Sequence, residues 1–189
     1  ITFRNLNTTD DTKLMGTMGN AAASYAPGTI QRLQYYLFKE AGFNGAVDSW
    51  NTANVTNFEH LFDGAVNFNQ PVASWDTSKG INFSWMFANT SGFNQPLNGL
   101  DTPAAKNLSY MFYRAFAFNQ NISSWDVSQV TDFSHMFEEA VNYNRLINNW
   151  NVSSGLDFSF MFRKAKLYDQ DLGNWSTISA QTMESMFED

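Results

Sequence analysis

Residues 118–144 read FNQNISSWDVSQVTDFSHMFEEAVNYN, and most of the chain repeats this stretch every 25 residues. The step gives an unbroken series of phenylalanines: Phe62, Phe87, Phe112, Phe137, Phe162 and Phe187. A second series is tryptophan at all positions but one: Trp50, Trp75, Leu100, Trp125, Trp150 and Trp175. A fixed period between 20 and 50 residues is typical of a solenoid, whose units bury their apolar faces only against their neighbours. We therefore expect every twenty-fifth side chain to lie directly above its predecessor.

Each unit contains two different periodicities. One half has apolar residues spaced along one face of a helix: Val130, Phe133, Met136, Phe137 and Ala140. In the other half, Trp125 and Val127 alternate with polar residues as in a half-buried strand, after a turn near Ser123. Because strand–helix–strand crossovers are almost always right-handed, the pattern predicts an α/β fold. The expected architecture is a right-handed, leucine-rich-repeat-like solenoid with one short parallel strand and one short helix per coil.

The repeat weakens toward the N-terminus, which divides the chain into two parts. Residues 1–28 do not repeat well, since the phenylalanine series leads back to polar Thr12. Terminal repeats are atypical because they close the end of the core. We expect an N-terminal cap at 1–28 and a solenoid of about six repeats at 29–189, with an incomplete C-terminal coil. The chain begins at Ile1 and stops within a repeat, so we interpret it as a piece of a longer protein.

Composition excludes several classes of function. The chain has 189 residues, of which 43% are hydrophobic, so it is long enough and apolar enough to form a core. Its net charge of −7 argues against nucleic acid and anionic membrane surfaces as partners. It has no cysteine, and no apolar run reaches the length of a transmembrane helix. We expect no cofactor and no membrane insertion within this segment.

The repeat resembles that of a known family. The stretch Phe118-Asn-Gln-Asn-Ile-Ser-Ser-Trp-Asp-Val-Ser-Gln-Val-Thr-Asp-Phe-Ser-His-Met-Phe137 is similar to the consensus of the BspA-like leucine-rich-repeat surface proteins. The similarity extends from about Ile30 to Phe187, with departures such as Leu100 in the tryptophan series. Members of that family are generally secreted or surface-anchored and are associated with adhesion. The resemblance implies an extracellular or cell-surface location and a non-catalytic binding role.

Two polar series run along the repeat. The amide column contains Asn69, Asn94, Asn119, Asn144 and Asp169. We expect its side chains to satisfy backbone groups of their own loop and of the next coil, because buried polar groups need partners. The acidic stripe contains Asp76, Asp101 and Asp126, whose carboxylates would repel one another if stacked. Two explanations remain open: Asx-turns that bond each carboxylate to its own backbone, or a bound cation such as Ca²⁺.

A further series, the aromatic ridge, contains mostly rings: Tyr35, His60, Trp85, Tyr110, His135 and Phe160. One interpretation is a half-buried stack that covers the core. The other is a surface that binds a partner, because Trp and Tyr are enriched at interface hot spots. Its two histidines lie three coils apart, which is too far to share a metal or to form a catalytic pair. The ridge and the acidic stripe are our candidate binding residues.

The sequence predicts binding rather than catalysis. It offers no cysteine, no close histidine pair and no phosphate-binding glycine motif, so we expect no nucleophile–base arrangement and no enzyme. We expect an extracellular adhesion or recognition module that binds a protein or a glycan through its surface stripes. The alternative is a structural scaffold whose neighbours are subunits of a larger assembly. A weaker hypothesis is ice binding by the series Thr52, Thr77, Thr102 and Thr177, which is predicted to point inward.

Overall fold

The computed structural model of the protein describes residues 43–189. The cap predicted for residues 1–28, and Tyr35 of the aromatic ridge, lie outside the described residues. Within residues 43–189, the chain winds in successive 25-residue coils that stack on one another, and each coil shares backbone hydrogen bonds with the coils on either side.

The phenylalanine series forms a continuous stack of rings. Neighbouring rings from Phe62 to Phe187 have centroids 5.5–5.7 Å apart and are tilted by no more than 15°. The predicted placement of every twenty-fifth side chain above its predecessor is therefore confirmed. A second stack runs from Phe43 to Tyr168 with centroids 5.7–6.1 Å apart. Within each coil the two stacks touch, as in the 4.0 Å contact of Phe112 with Phe118. The core is thus a column of interlocked rings.

The predicted helix is absent, and the α/β fold class is wrong. Where a helix was expected, alternate amides donate to the next coil: Phe133 to Asp157, His135 to Ser159, and Phe137 to Met161, each at 2.9 Å. The intervening amides close turns onto the carbonyl three residues earlier, as Met136 does onto Phe133. At the start of this stretch, Thr131 donates its hydroxyl to the Lys106 carbonyl of the coil before. No helix occurs within residues 43–189.

Left-handed backbone conformations explain why the helix cannot form. His135 and Glu139 have φ values of 58° and 56°, and the same two positions are left-handed in the neighbouring coils. An α-helix needs right-handed conformations at every residue to bond each amide to the carbonyl four residues earlier. In each coil, two left-handed residues four positions apart turn alternate backbone amides outward to the adjacent coil instead. The apolar spacing of 3, 6 and 7 residues arises from these tight turns.

The predicted strand at Trp125–Val127 is also absent. The described residues contain only isolated parallel bridges, and these lie at another position of the repeat: Asn57 with Asn82, Asn82 with Asn107, Asn107 with Asp132, Asp132 with Asp157, and Asp157 with Thr182. The expected alternation at Trp125–Val127 is nevertheless real, since Trp125 and Val127 are buried and Asp126 is exposed. The expected turn at Ser123 is confirmed by the bond from the Trp125 amide to the Ile122 carbonyl.

Side chains replace the missing strand hydrogen bonds on this side of the coil. The Trp125 indole N–H donates to the Leu97 carbonyl at 3.1 Å, and Trp75, Trp150 and Trp175 make equivalent bonds to the coil before. The hydroxyls of Thr52, Thr77 and Thr102 donate to carbonyls of the coil after. These threonines are buried, as predicted, and so do not form an exposed array of the kind that ice binding requires.

The amide column performs the structural role expected of it. The Asn94 side-chain oxygen accepts the Asn119 amide at 3.0 Å and the Gln120 side-chain amide at 3.0 Å. The same bond to the next coil recurs at every step from Asn44 to Asp169. The prediction that these side chains satisfy the neighbouring coil is confirmed.

Replacing Phe137 by alanine tests the stacked core. Phe137 is fully buried between Phe112 and Phe162. Because truncation of a buried Phe loses contacts and leaves a cavity, we expect the free energy of unfolding to fall by about 3–5 kcal/mol. Chemical denaturation measures this change. Phe116→Ala is the control, because Phe116 is 41% exposed and should lose far less stability. Equal losses in both variants would contradict the core assignment.

Replacing Tyr143 by phenylalanine should stabilise the protein. The Tyr143 hydroxyl is buried without a hydrogen-bond partner, at a position where the two preceding coils have Phe118 and Phe93. Burial of an unsatisfied hydroxyl costs about 1–3 kcal/mol, so its removal should raise the free energy of unfolding by a similar amount. Denaturation at pH 7 measures the gain. Tyr113→Phe, at a half-buried residue, should change stability by less than about 0.5 kcal/mol.

The same variant should alter the response to alkali. Burial raises the pKa of the Tyr143 hydroxyl well above its ordinary value. In the unfolded chain the tyrosine ionises near pH 10, whereas in the folded chain it stays neutral. Ionisation therefore favours the unfolded state, and the free energy of unfolding falls as the pH rises above about 10. Tyr143→Phe should therefore unfold less readily than the wild type above about pH 10. A parallel decline of both proteins in alkali would contradict this assignment.

Candidate functional site

The aromatic ridge forms a further stack of side chains, and this one is half-buried. Ring centroids are 5.3 Å apart between His60 and Trp85, and 4.0 Å apart between Trp85 and Tyr110. They are 4.1 Å apart between Tyr110 and His135, and 4.6 Å apart between His135 and Phe160. All the neighbouring rings are nearly parallel, with tilts of 17° or less. The structure therefore brings together every described member of the predicted ridge.

Each ridge residue adopts the left-handed backbone conformation. The φ values lie between 55° and 61° from His60 to Phe160. This conformation costs a residue with a Cβ roughly 1–2 kcal/mol and is uncommon for bulky side chains. Inter-coil bonds hold it in place, because the Tyr110 amide donates to the Ser134 carbonyl at 2.9 Å and the other ridge amides do likewise. The fold thus determines where these side chains stand.

Most ridge residues interact with a matched side chain three positions later. His60 Nδ1 lies 2.9 Å from Asp63 Oδ2, and His135 Nδ1 contacts Glu138 Oε2 in the same way. Tyr110 makes an edge-to-face contact with Tyr113, with ring centroids 5.7 Å apart. The Arg163 guanidinium lies 5.5 Å from the centre of the Phe160 ring. Three residues after each histidine there is an acid, after Tyr110 a tyrosine, and after Phe160 an arginine. The two side chains of each pair can therefore interact favourably within their own coil.

Charged groups beside the ridge are paired between coils. Glu138 is buried, and its Oε1 accepts the Arg163 guanidinium at 2.9 Å while its Oε2 contacts His135. Arg114 donates to both carboxylate oxygens of Glu139, at 2.9 and 3.3 Å. This bond from Arg114 holds the pKa of Glu139 below its ordinary value, and the bond to Glu139 raises the pKa of Arg114. The flank of the ridge is therefore an ordered, charged surface.

The stacking decides which parts of the rings a ligand can reach. Trp85, Tyr110 and His135 each have a ring packed against both faces, so a ligand meets ring edges rather than ring faces. Tyr113 touches the edges of Trp85 and Tyr110 at 5.7 Å, and the exposed Arg114 lies over the Tyr113 ring at 5.0 Å. A ligand that approaches this flank of the ridge therefore meets half-buried Tyr113 and exposed Arg114.

The acidic stripe is exposed, and two of its members form the predicted Asx-turns. Asp76 Oδ1 accepts the Ser78 amide at 3.1 Å, and Asp126 Oδ1 accepts the Ser128 amide at 3.0 Å. Hydrogen bonds from the serine hydroxyl and then from the serine amide lower the pKa of both carboxylates. The equivalent bond is impossible for Asp101, because the residue two positions later, Pro103, has no N–H. Local turns therefore account for the charge of Asp76 and Asp126.

The chemistry-bearing side chains do not converge elsewhere in the described part of the chain. His60 and His135 are separated along the ridge by Trp85 and Tyr110, and each contacts an acid of its own coil. Residues 43–189 contain no group of three or more His, Cys, Asp or Glu side chains arranged to hold a metal ion. None of these residues forms a helix capable of spanning a bilayer.

Sequence reasoning missed the residues that flank the ridge. Tyr113, Arg114 and Glu139 depart from their columns and were not singled out. One signal in the sequence pointed to this flank: a ridge residue is followed three positions later by a side chain that can pair with it, as in His60 with Asp63 and His135 with Glu138. A helix also places residues three apart on one face, so the pairs alone would not have revealed the left-handed turns.

A family model matches residues 11–123 and 100–189, two overlapping ranges that together cover most of the chain. Its description is "Mycoplasma protein of unknown function, DUF285". The chain belongs to this family. The DUF285 match supports the interpretation of the chain as a member of a repeat family. No curated protein and no solved structure matches the chain significantly.

Replacing Ser128 by alanine tests whether the serine hydroxyl lowers the pKa of Asp126. Because the Ser128 hydroxyl is the main cause of the lowered pKa of Asp126, the variant should raise this pKa toward its ordinary value of 3.8. A depressed folded pKa contributes stability above the unfolded pKa that is lost as pH falls through the folded pKa. Any destabilisation by Ser128→Ala should therefore be present at pH 7 and shrink below about pH 4.

NMR titration of the Asp126 carboxyl carbon measures the pKa directly. Ser124→Ala is the control, since this serine lies in the same coil and does not enter the pKa of Asp126. An unchanged Asp126 pKa in Ser128→Ala would exclude the serine hydroxyl as the cause.

Proposed function

We propose that this DUF285 chain is a non-catalytic recognition module of the cell surface that binds a protein partner through the aromatic ridge and its flank. The binding surface comprises Trp85, Tyr110, Tyr113 and Arg114 at its centre. Tyr, Trp and Arg are the residues most enriched at the hot spots of protein interfaces. In this protein they lie together on a rigid backbone, so that little conformational entropy is lost when a partner binds.

The covered ring faces are the observation that favours a protein over a glycan. Aromatic recognition of a flat ligand requires an open ring face, and the interior ridge rings are stacked on both sides. The edge of an aromatic ring carries partial positive charge and can contact the backbone carbonyls of a protein partner. The paired guanidinium can contact its side chains. The exposed Ile81 and Leu156, four residues before Trp85 and Phe160, add apolar area near the ridge.

Absence of catalysis is part of the proposal, and the arrangement of polar groups supports it. The amides recur as a stripe, with each member of the amide column in nearly the same environment as the next. Acid–base catalysis instead needs groups whose environments push their pKa values apart. The two ridge histidines are each engaged by an acid three residues later.

The location rests on resemblance. The 25-residue repeat is similar to that of BspA-like surface proteins, whose members are generally secreted or surface-anchored and associated with adhesion. The absence of cysteine is compatible with that location, since the ring column and the inter-coil bonds hold the fold without disulfides. We extend the adhesive role of those proteins to this chain as part of the proposal.

A scaffold subunit is the second candidate. The observation that favours it is a pair of apolar side chains at another turn of the coil: Phe116 is 41% exposed, and half-buried Val141 occupies the same position of the next coil. Contiguous exposed apolar residues mark sites where proteins associate. In this alternative the ridge is a structural seam, and the Phe116 face packs against a neighbouring subunit.

Binding measurements with stripe variants distinguish these functions. Purified chain is presented to a panel of extracellular-matrix proteins and to a glycan array. The variants are Tyr113→Ala/Arg114→Ala on the ridge flank, Phe116→Ala on the apolar turn and Asp126→Asn on the acidic stripe. We expect a protein to bind, and loss of the ridge hot spot to weaken it by about 2 kcal/mol or more, which is roughly thirtyfold in Kd.

The other variants serve as matched controls, and circular dichroism confirms that each is folded. Phe116→Ala and Asp126→Asn should bind the protein within about threefold of the wild type. Binding to glycans alone, or equal affinity in the ridge variant and the wild type, would contradict the proposed surface. Loss of binding only in Phe116→Ala would favour the scaffold candidate.

A further inference from the structure

We infer that Asn98–Gly99 is a site of spontaneous deamidation and backbone isomerisation, whereas Asn44–Gly45 is held in an unreactive arrangement. These are the two Asn-Gly pairs of the chain. The sequence alone does not distinguish them, because the absence of a side chain on the following glycine favours the reaction equally in both. The difference lies in what each asparagine side chain contacts. The inference does not depend on the proposed function.

Asn98 and Gly99 are exposed and form the two corner residues of a turn. The turn is closed by the Leu100 amide, which donates to the Leu97 carbonyl at 3.1 Å. Within residues 43–189, neither the Asn98 side chain nor the Gly99 amide makes a hydrogen bond. The asparagine side chain is therefore free to rotate, and the nitrogen that must attack it is not engaged.

Asn44 is equally exposed but is fixed by the next coil. Its Oδ1 accepts the Asn69 amide at 2.9 Å and the Gln70 side-chain amide at 3.0 Å. Both bonds belong to the amide column that ties each coil to the next. The Asn44 side chain must release them before its Cγ can approach the Gly45 nitrogen. The same chemical group is thus held in one coil and free in another.

The reaction at Asn98 proceeds in two steps. The Gly99 backbone nitrogen attacks Asn98 Cγ and forms a new C–N bond, the Cγ–Nδ2 bond breaks, and Nδ2 leaves as ammonia with the proton lost by the Gly99 amide. The product is a five-membered succinimide. Water then adds to either of its two carbonyls. Opening at Cγ restores the ordinary backbone as aspartate, and opening at the backbone carbonyl gives isoaspartate, whose main chain is one carbon longer.

The altered residue lies at a close contact between coils. A Cβ built on Gly99 would stand 2.1 Å from the Ala73 carbonyl oxygen, so the main chain of the two coils is in tight contact here. Buried Leu100 follows directly, and the exposed Asp101 carboxylate lies three residues from Asn98. An additional main-chain carbon and a new negative charge should therefore loosen this turn and displace Leu100 from the core.

Incubation of the intact chain tests the inference. The protein is held at pH 8.5 and 37 °C, sampled over several weeks and digested, and the peptides that contain Asn44 and Asn98 are analysed by mass spectrometry. We expect a mass increase of about one dalton on the Asn98 peptide, resolved into aspartate and isoaspartate forms. Two held hydrogen bonds should make the reaction at Asn44 slower by at least about tenfold.

Two variants separate the local chemistry from general ageing. Asn98→Ser places at this corner the residue found at the equivalent Ser123, and it should abolish the change in that peptide. Gln70→Ala removes one bond to Asn44 and should accelerate the reaction at Asn44. An Asn98 peptide that keeps its mass while unfolded chain reacts would overturn the inference. Equal rates at the two asparagines would also overturn it.

Discussion

The structure depends on one constraint: alternate amides of each coil donate to the coil that follows instead of bonding within their own coil. The bonds from Phe133, His135 and Phe137 to carbonyls 24 residues later are one set of a series that continues from coil to coil. They require left-handed residues at regular positions, and those residues prevent a helix. Side chains complete the attachment, with the Trp indoles and the amide column bonding coils where the backbone does not. The ring stacks then form because equivalent residues have been brought into line.

This constraint shapes what the protein can do. Each position of the repeat becomes a stripe along the surface. The fold therefore does not readily form an isolated pocket of unlike groups. The surface differs from coil to coil only where a residue differs from those at the same position of other coils. Tyr113 is such a residue, because other coils have the acids Asp63 and Glu138 at its position. Exposed Arg114 follows it directly. The left-handed backbone presents the ridge in a fixed orientation, and the coil-to-coil ion pairs order its flank. The binding surface that we propose is the part of the ridge where these departures concentrate.

Much of the packing was predictable because it follows from repetition alone. A residue that recurs every 25 positions must meet its own copies if the coils stack, so the Phe137 column, the amide column and the ridge were located correctly. The Asx-turns at Asp76 and Asp126 were one of the two explanations left open for the acidic stripe, and this one could be anticipated because it depends on short-range chemistry. The helix and the strand were wrong. Spacings of three and four residues arise from successive tight turns as well as from a helix, and apolar periodicity does not report the sign of φ.

The sequence by itself determined which residues share a column, which columns are apolar and that a turn lies near Ser123. Those properties follow from composition and period. Only the tertiary structure decided the backbone path, because a bulky residue such as Trp85 enters the left-handed region only when the hydrogen bonds of its turn to both neighbouring coils offset the steric cost. The tertiary structure also decided that the ridge rings cover one another's faces, and that Asn44 is held while Asn98 is free. Each depends on contacts between coils that no single repeat contains.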